Sequence, residues 1–205
     1  MTTTRKHYSQ NAEQEAILAA FPYNGPIWIG DMRFLDIGAW HATDKSNTRA
    51  LFERGWGGVL VEPSPGPFAG LQKEYGDCER ITLINAAVCF DGNPVMMYLS
   101  DDALSTSHTE TYEKWKPYAQ FTPEPVEVPG ITIDAIYETH GPFDFVSIDA
   151  EGVSVDILHH LLALTPLPKC ICIEYDDRLP EVLTAATARG YSATYCSGEN
   201  VVLVK

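Results

Sequence analysis

Two short apolar runs constrain this chain more than any other feature: "RFLDI" at 33–37 and "GGVLVEP" at 57–63. Each ends near an acid, and each is followed by helix-forming residues. The first such stretch spans residues 46–54, with Ser46 or Asn47 placed to cap it and Gly55 to end it; the second, "PFAGLQKEY", is opened by prolines. Strands alternating with helices at this spacing pair in parallel, through right-handed crossovers. "RITLINAAV" adds a third strand, and the alternation resumes after residue 130 with "ITIDAIYETHG" as helix, "FDFVSID" as strand, "VSVDILHHLLAL" as helix and "KCICIEY" as strand. "PEVLTAATARG" then reads as a helix stopped by Gly190, and "YSATYC" and "NVVLV" as a hairpin across "SGE". The expected fold is α/β: a doubly wound, Rossmann-like sheet, mostly parallel, with one antiparallel strand near its edge.

A first helix is expected over 12–21, broken by "PYNGP", and "PVMMYLS" suggests an extra strand. Residues 101–127 show no clear period and carry many aromatics. A loop of that length in a compact domain suits a substrate lid. Within it Tyr112, Trp115, Tyr118 and Phe121 recur every three residues, as a packing stripe or a platform for a flat ligand. At 205 residues the whole chain, 1–205, reads as a single domain.

Acidic residues outnumber lysine and arginine 28 to 14, a formal charge of −14 that opposes nucleic-acid backbones and anionic membranes. The partners expected are a small-molecule or glycan acceptor, with no nucleic acid and no membrane; the sequence leaves the oligomeric state open. Five cysteines without a C-x-x-C pair point to a reducing compartment, and Cys170 and Cys172 share one strand face as buried thiols. "MTTTRKHYSQNAEQ" has no apolar core of a signal peptide and no stretch is apolar enough to span a bilayer, so the expected location is cytoplasmic.

In sheets of this kind ligands bind beyond the carboxyl ends of the strands, so Asp36, Gly38, Glu62, Asn85, Asp149 and Glu174 should line one crevice. From Gly38 the frame reads G-A-W-H-A-T, with Trp40 where a dinucleotide's pyrophosphate needs bare backbone. Asp36 would repel phosphate and attract an ammonium or sulfonium, and Glu62 could accept hydrogen bonds from a ribose diol. S-adenosylmethionine combines these features. An NAD-linked oxidoreductase is disfavoured by Trp40 and the missing glycines.

These motifs, "FLDIGAWHATDKSNT", "GWGGVLVEP", "LINAAV", "LSTS", "VPGITIDAI" and "FDFVSIDAEG", give a sequence that resembles the FkbM family of S-adenosylmethionine-dependent methyltransferases over nearly its whole length. The resemblance implies a class I methyltransferase sheet with the cofactor across the first two strand tips. Asp36, Gly38, Ala39 and Trp40 would lie at the methionine end with Ser46 and Asn47 nearby, Glu62 and Pro63 at the ribose, and Asn85 and Ala86 beside the adenine. It also implies an O-methyltransferase acting on a hydroxyl of a sugar, glycan precursor or secondary metabolite. A catalytically idle module of the same fold, binding cofactor or protein, is the alternative. Two departures from the pattern are Ala42, where many members carry glycine, and Ser154, where an acid often stands.

A hydroxyl acceptor needs a base. Asp149 and Glu151 are candidates, provided the site raises their proton affinity, and capping of the following helix is the competing role for either. His108 is a third candidate, set against an exposed loop histidine. His41 suits either a methionine carboxylate or local packing, and His159 and His160 read as surface or packing residues. Asp149, Glu151, Glu174, Asp176 and Asp177 could gather around a hard cation, but no metal is expected.

Overall fold

The computed structural model describes residues 6–22, 31–100 and 102–205. Most of "PYNGP" and the first residue of the expected lid lie outside those bounds. The order is α1 (Glu13–Ala20), β1 (Arg33–Ile37), α2 (Arg49–Glu53), β2 (Gly57–Val61), α3 (Pro65–Tyr75), β3 (Ile81–Ile84), β4 (Ala87–Val88), β5 (Val95–Met97) and α4 (Thr109–Trp115). There follow β6 (Val126–Val128), β7 (Gly130–Ile131), α5 (Ile133–His140), β8 (Phe145–Ile148), α6 (Ser154–Ala163), β9 (Cys170–Glu174), α7 (Leu179–Ala188), β10 (Ser192–Cys196) and β11 (Asn200–Val204).

Seven strands form the main sheet in the order β10-β11-β9-β8-β1-β2-β3. All neighbours from β9 to β3 pair in parallel; β11 runs antiparallel to both β9 and β10. The expected architecture is therefore present, down to the single reversed strand one place in from the edge. The strand order changes direction between β1 and β8, and the crevice beyond a sheet opens at such a point.

Period-two alternation sends side chains to two cores. Leu35, Ile37, Val59, Val61, Val146, Ile148, Ile171 and Ile173 pack under α5, α6 and α7. Phe34, Leu60, Phe145, Cys170 and Cys172 face α1, α2 and α3. Both strand cysteines are fully buried, and burial pushes the Cys170 thiol up to about 12, consistent with an inert packing role. Asp36 and Ser147 are the polar exceptions on the second face, paired across β1 and β8 beneath the approach to α2.

The stretch expected to be a periodless lid is more ordered than its sequence suggests. It contains α4, ends in β6 paired with β5, and is pinned by bridges from Tyr98 to Thr106 and Ser100 to Phe121. The period is masked because α4 buries only Tyr112. Tyr112 stacks on Tyr98 at 3.8 Å and meets Phe121 edge-on at 5.2 Å. The aromatic stripe splits accordingly: Tyr112 and Phe121 pack the lid, Trp115 reaches the crevice, and Tyr118 is 81% exposed.

Candidate functional site

Parallel strands bring their carboxyl ends to one rim, where Ile37, Val61 and Ile148 stand in register. The chain then turns over that rim at close quarters. Gly38 and Ala39 both donate to the Val61 carbonyl, at 3.0 and 3.1 Å, and Asp149 N–H bonds the Ile37 carbonyl at 2.9 Å. Gly38 has φ +78°, and a Cβ there would fall 1.8 Å from the Asp149 carbonyl oxygen, so only glycine fits. β11 runs the other way, which carries Glu199 and Asn200 to the same rim.

The crevice at this rim has a volume of about 590 Å³. Ligand sites usually run from about 300 to 1,000 Å³. Of the residues singled out from sequence, Asp36, Gly38, Ala39, Trp40, Ser46, Asn47, Glu62, Pro63, Ala86, His108, Asp149 and Glu151 all line it. Asn85 is the exception. It is set back, its side-chain amide donating to the carbonyls of Glu62 (2.7 Å) and Pro63 (3.1 Å), so it shapes the β2 tip instead of facing the ligand space.

One end of the crevice is built around two buried carboxyls. Glu62 accepts the Trp40 N–H at one oxygen (3.0 Å) and the Ser64 N–H at the other (2.7 Å). Each oxygen keeps a further lone pair for a ligand hydroxyl. Trp40 reaches this position through a left-handed backbone, φ 36°. Burial raises the Glu62 pKa against the pull of those N–H groups. Asp36 lies deeper, 5% exposed, and accepts the Thr48 hydroxyl at 2.6 Å. Burial pushes it up to about 7, opposed by its hydroxyl partners and reinforced by the negative charge of Asp149. The second helix starts later than expected, so its N-cap residue is Thr48, whose hydroxyl is turned to Asp36, and neither Ser46 nor Asn47. Ser46 accepts Arg49 N–H at 3.1 Å from further back, and Asn47 donates to Ser147 Oγ at 3.3 Å.

At the other end Asp149, Glu151 and Glu174 bring carboxylate oxygens within 4.8 Å of one another. Strand alternation does not explain the first two sharing a side, because β8 stops at Ile148 and the chain turns through Gly152 at φ +88°. Desolvation raises the proton affinity of all three, and mutual repulsion raises Glu151 and Glu174 further. A proton shared between Asp149 and Glu174 favours the charged form of Asp149 and the protonated form of Glu174. Three oxygens so placed have the donor chemistry of a hard cation site and equally suit shared protons. Among the described residues Asp176 and Asp177 stand outside this set.

Neither Asp149 nor Glu151 caps α6. Ser154 Oγ accepts Ala150 N–H at 2.9 Å, and the Asp176 carboxylate takes Gly152 and Ser154 N–H at 3.1 and 3.2 Å. His108 is solvent-exposed at the start of α4 and lines the crevice. His41 serves its own loop, Nδ1 accepting Thr43 and Asp44 N–H. His159 meets Glu181 at 2.9 Å and His160 lies against Phe90, both away from the carboxyl cluster.

Sequence reasoning missed Thr48, Ser64, Ser105 and Ser147, which organise the site through hydroxyl groups. Ser105 Oγ accepts from Ser64 Oγ at 2.8 Å and donates to the Ser100 carbonyl at 3.0 Å, tying the lid to the β2 tip. No spacing in the sequence pairs residues 41 positions apart.

The model of the methyltransferase FkbM domain matches residues 36–183. No curated protein gave a match. Among solved structures, the chain is similar to methyltransferase FkbM from Methylobacillus flagellatus KT, with a TM-score of 0.52 and 14% identity over 85% of this chain and 44% of that one. The chain thus spans less than half the length of that relative. A precorrin-6y C5,15-methyltransferase from Geobacter metallireducens GS-15 gives a TM-score of 0.48 and 13% identity over 98% of this chain and 90% of that one. With the domain match covering the β1 tip, residues 101–127, the carboxyl cluster and the first half of α7, this chain belongs to the FkbM methyltransferase family.

Proposed function

We propose that this protein is an S-adenosylmethionine-dependent O-methyltransferase acting on a hydroxyl of a sugar, glycan precursor or secondary metabolite. The observation that carries this reading is the adjacency, in one crevice, of a cofactor half holding Asp36 and Glu62 and an acceptor half holding three carboxyls of raised proton affinity.

The residues present fit the cofactor. Glu62, pre-set by Trp40 and Ser64, would take the ribose diol with Pro63 beside it; Ala86 would offer an apolar border for the adenine; Asp36 and Gly38 would hold the methionine end. S-adenosylmethionine supplies a methyl group on a positively charged sulfur. Transfer forms a C–O bond to the acceptor as the S–C bond breaks, and the hydroxyl proton must go to a base. Glu151 or Asp149 can accept it because burial and like charge hold their proton affinity above that of a free carboxylate. Positioning of the acceptor in line with the S–C bond supplies much of the rate. Shared protons, without a metal, satisfy the cluster in this reading.

The test is calorimetric titration of the protein with S-adenosylmethionine and with NAD, repeated on Asp36→Ala and Glu62→Ala, followed by a screen of hydroxylated acceptors in chelator. Saturable binding of S-adenosylmethionine alone, weakened at least about tenfold by each substitution, is the expected result. A folded wild-type protein that binds neither ligand, or binds only NAD, overturns it. Activity that vanishes in chelator and returns with Mg²⁺ would reassign the cluster to a cation.

A further inference from the structure

We infer that Asp176 and Thr106 are positioning residues of the transfer site, clamping from two sides the peptide unit that carries Glu151. The inference rests on the methyltransferase reading above for its functional meaning and on hydrogen-bond geometry for its substance.

The peptide linking Glu151 to Gly152 is held at both of its polar ends. Its carbonyl, that of Glu151, accepts the Thr106 hydroxyl at 2.8 Å. Its N–H, that of Gly152, donates to Asp176 Oδ1 at 3.1 Å. In a trans peptide these groups point in opposite directions, so the two contacts fix the rotation of the peptide plane, and with it the direction in which the Glu151 side chain leaves the backbone. A third bond, Ser154 N–H to Asp176 Oδ2 at 3.2 Å, fixes the far side of the turn.

The two clamps come from different parts of the chain. Thr106 belongs to the lid, is 1% exposed, and is itself held by backbone bonds to Tyr98 in both directions. Its hydroxyl also accepts His108 N–H at 3.0 Å, so one oxygen sets the relation between the lid histidine and the Glu151 turn. Asp176 follows β9, with a left-handed backbone, φ 46°, that non-glycine residues rarely adopt unless neighbours hold it there. The turn has little room to find another path: a Cβ at Gly152 would lie 2.8 Å from Thr111 Oγ1 and 3.2 Å from the His108 Cβ. The simpler role for Asp176 is to cap α6, whose own N-cap residue Val153 supplies no side-chain bond. Capping alone concerns stability; positioning also concerns where the Glu151 carboxyl points.

The experiment follows the carboxyl carbon of Glu151 by NMR across pH, in chelator, on wild-type protein and on Asp176→Asn and Thr106→Val, with Glu151→Gln to assign the resonance. Asp177→Asn, at the exposed neighbour, controls for a more distant loss of charge. Because the Asp176 charge itself raises the Glu151 proton affinity, Thr106→Val, which removes no charge, is the variant that separates positioning from charge. Release of the clamp lets the carboxyl turn toward solvent, so its midpoint should fall by about one unit in both variants. The control should leave it in place, and affinity for S-adenosylmethionine should stay within about threefold. An unchanged Glu151 midpoint in Thr106→Val, whatever Asp176→Asn shows and whatever the loss in thermal stability, overturns the proposal and leaves Asp176 as a helix cap that acts on Glu151 by its charge. An equal fall in Asp177→Asn also overturns it. Should Asp176→Asn fail to fold, Thr106→Val decides alone. A wild-type protein that does not bind S-adenosylmethionine defeats the methyltransferase reading, while the Glu151 titration still decides the clamp.

Discussion

Asp36 shows how a site residue can burden the fold that holds it. Its proton is retained in the folded chain to about pH 7, whereas an unfolded aspartate loses it near pH 4. Between those values the unfolded chain releases the proton first, so stability falls as pH rises and the penalty is complete above about pH 7. Asp36→Asn is therefore expected to raise the unfolding free energy of the apoprotein at pH 8, by up to about 4 kcal/mol, with the advantage shrinking toward zero near pH 4. Urea melts at the two pH values check this. The same substitution should weaken binding of S-adenosylmethionine, a gain in stability at the expense of function. Gly38→Ala runs the other way. With φ +78° and the Asp149 carbonyl 1.8 Å from the new methyl, it should destabilise by about 3 kcal/mol or more and abolish cofactor binding together with folding. A variant that melts like wild type would show that the β1 tip can move away from β8.

At the scale of elements, the stretch expected to form a lid packs as a small layered unit of its own. Tyr98, Tyr112 and Phe121 bring β5's extension, α4 and the returning strand together, and Ser105 and Thr106 fasten the result to the two halves of the crevice. Tyr112→Ala removes the central ring of that stack. Loss of about 3 kcal/mol of local stability would speed amide exchange at Tyr98 and Thr106 by about a hundredfold, while amides of β1 and β8 keep their protection. Equal acceleration across the main sheet would mean that the lid and the sheet unfold as one unit. Activity should suffer more than cofactor affinity, since Thr106 bonds the Glu151 turn, at the end of the crevice proposed for the acceptor.

For the whole molecule, charge sets which ligands approach. A net charge of −14 and a crevice lined by Asp36, Glu62, Asp149, Glu151 and Glu174 favour a cationic cofactor and oppose polyanions. Affinity for S-adenosylmethionine should fall about two- to fivefold as salt rises from about 20 to 300 mM, which titration at both salts would measure. The protein should pass through a phosphocellulose column unretained at low salt; retention that salt releases would point to a basic surface and reopen nucleic acid as a partner. Methyl transfer itself should rise with pH as the carboxyl cluster gives up its protons, since a protonated Glu151 cannot act as base.

The main sheet is legible in the amino-acid sequence, because period-two burial and the alternation of strands with helices are local properties that admit few topologies. The sequence also placed Asp36, Gly38, Glu62 and Asp149 correctly at one rim, since a parallel sheet puts every carboxyl end on the same side. Contacts between segments distant in the chain are not legible in it. Thr48 reaching Asp36, Ser64 meeting Ser105, Asn85 turned to the β2 tip, and Asp176 gripping the turn after β8 all depend on how loops of no fixed period close over the strands. Hydroxyls and amides in such loops carry no pattern of their own. Their partners exist only once the chain has folded.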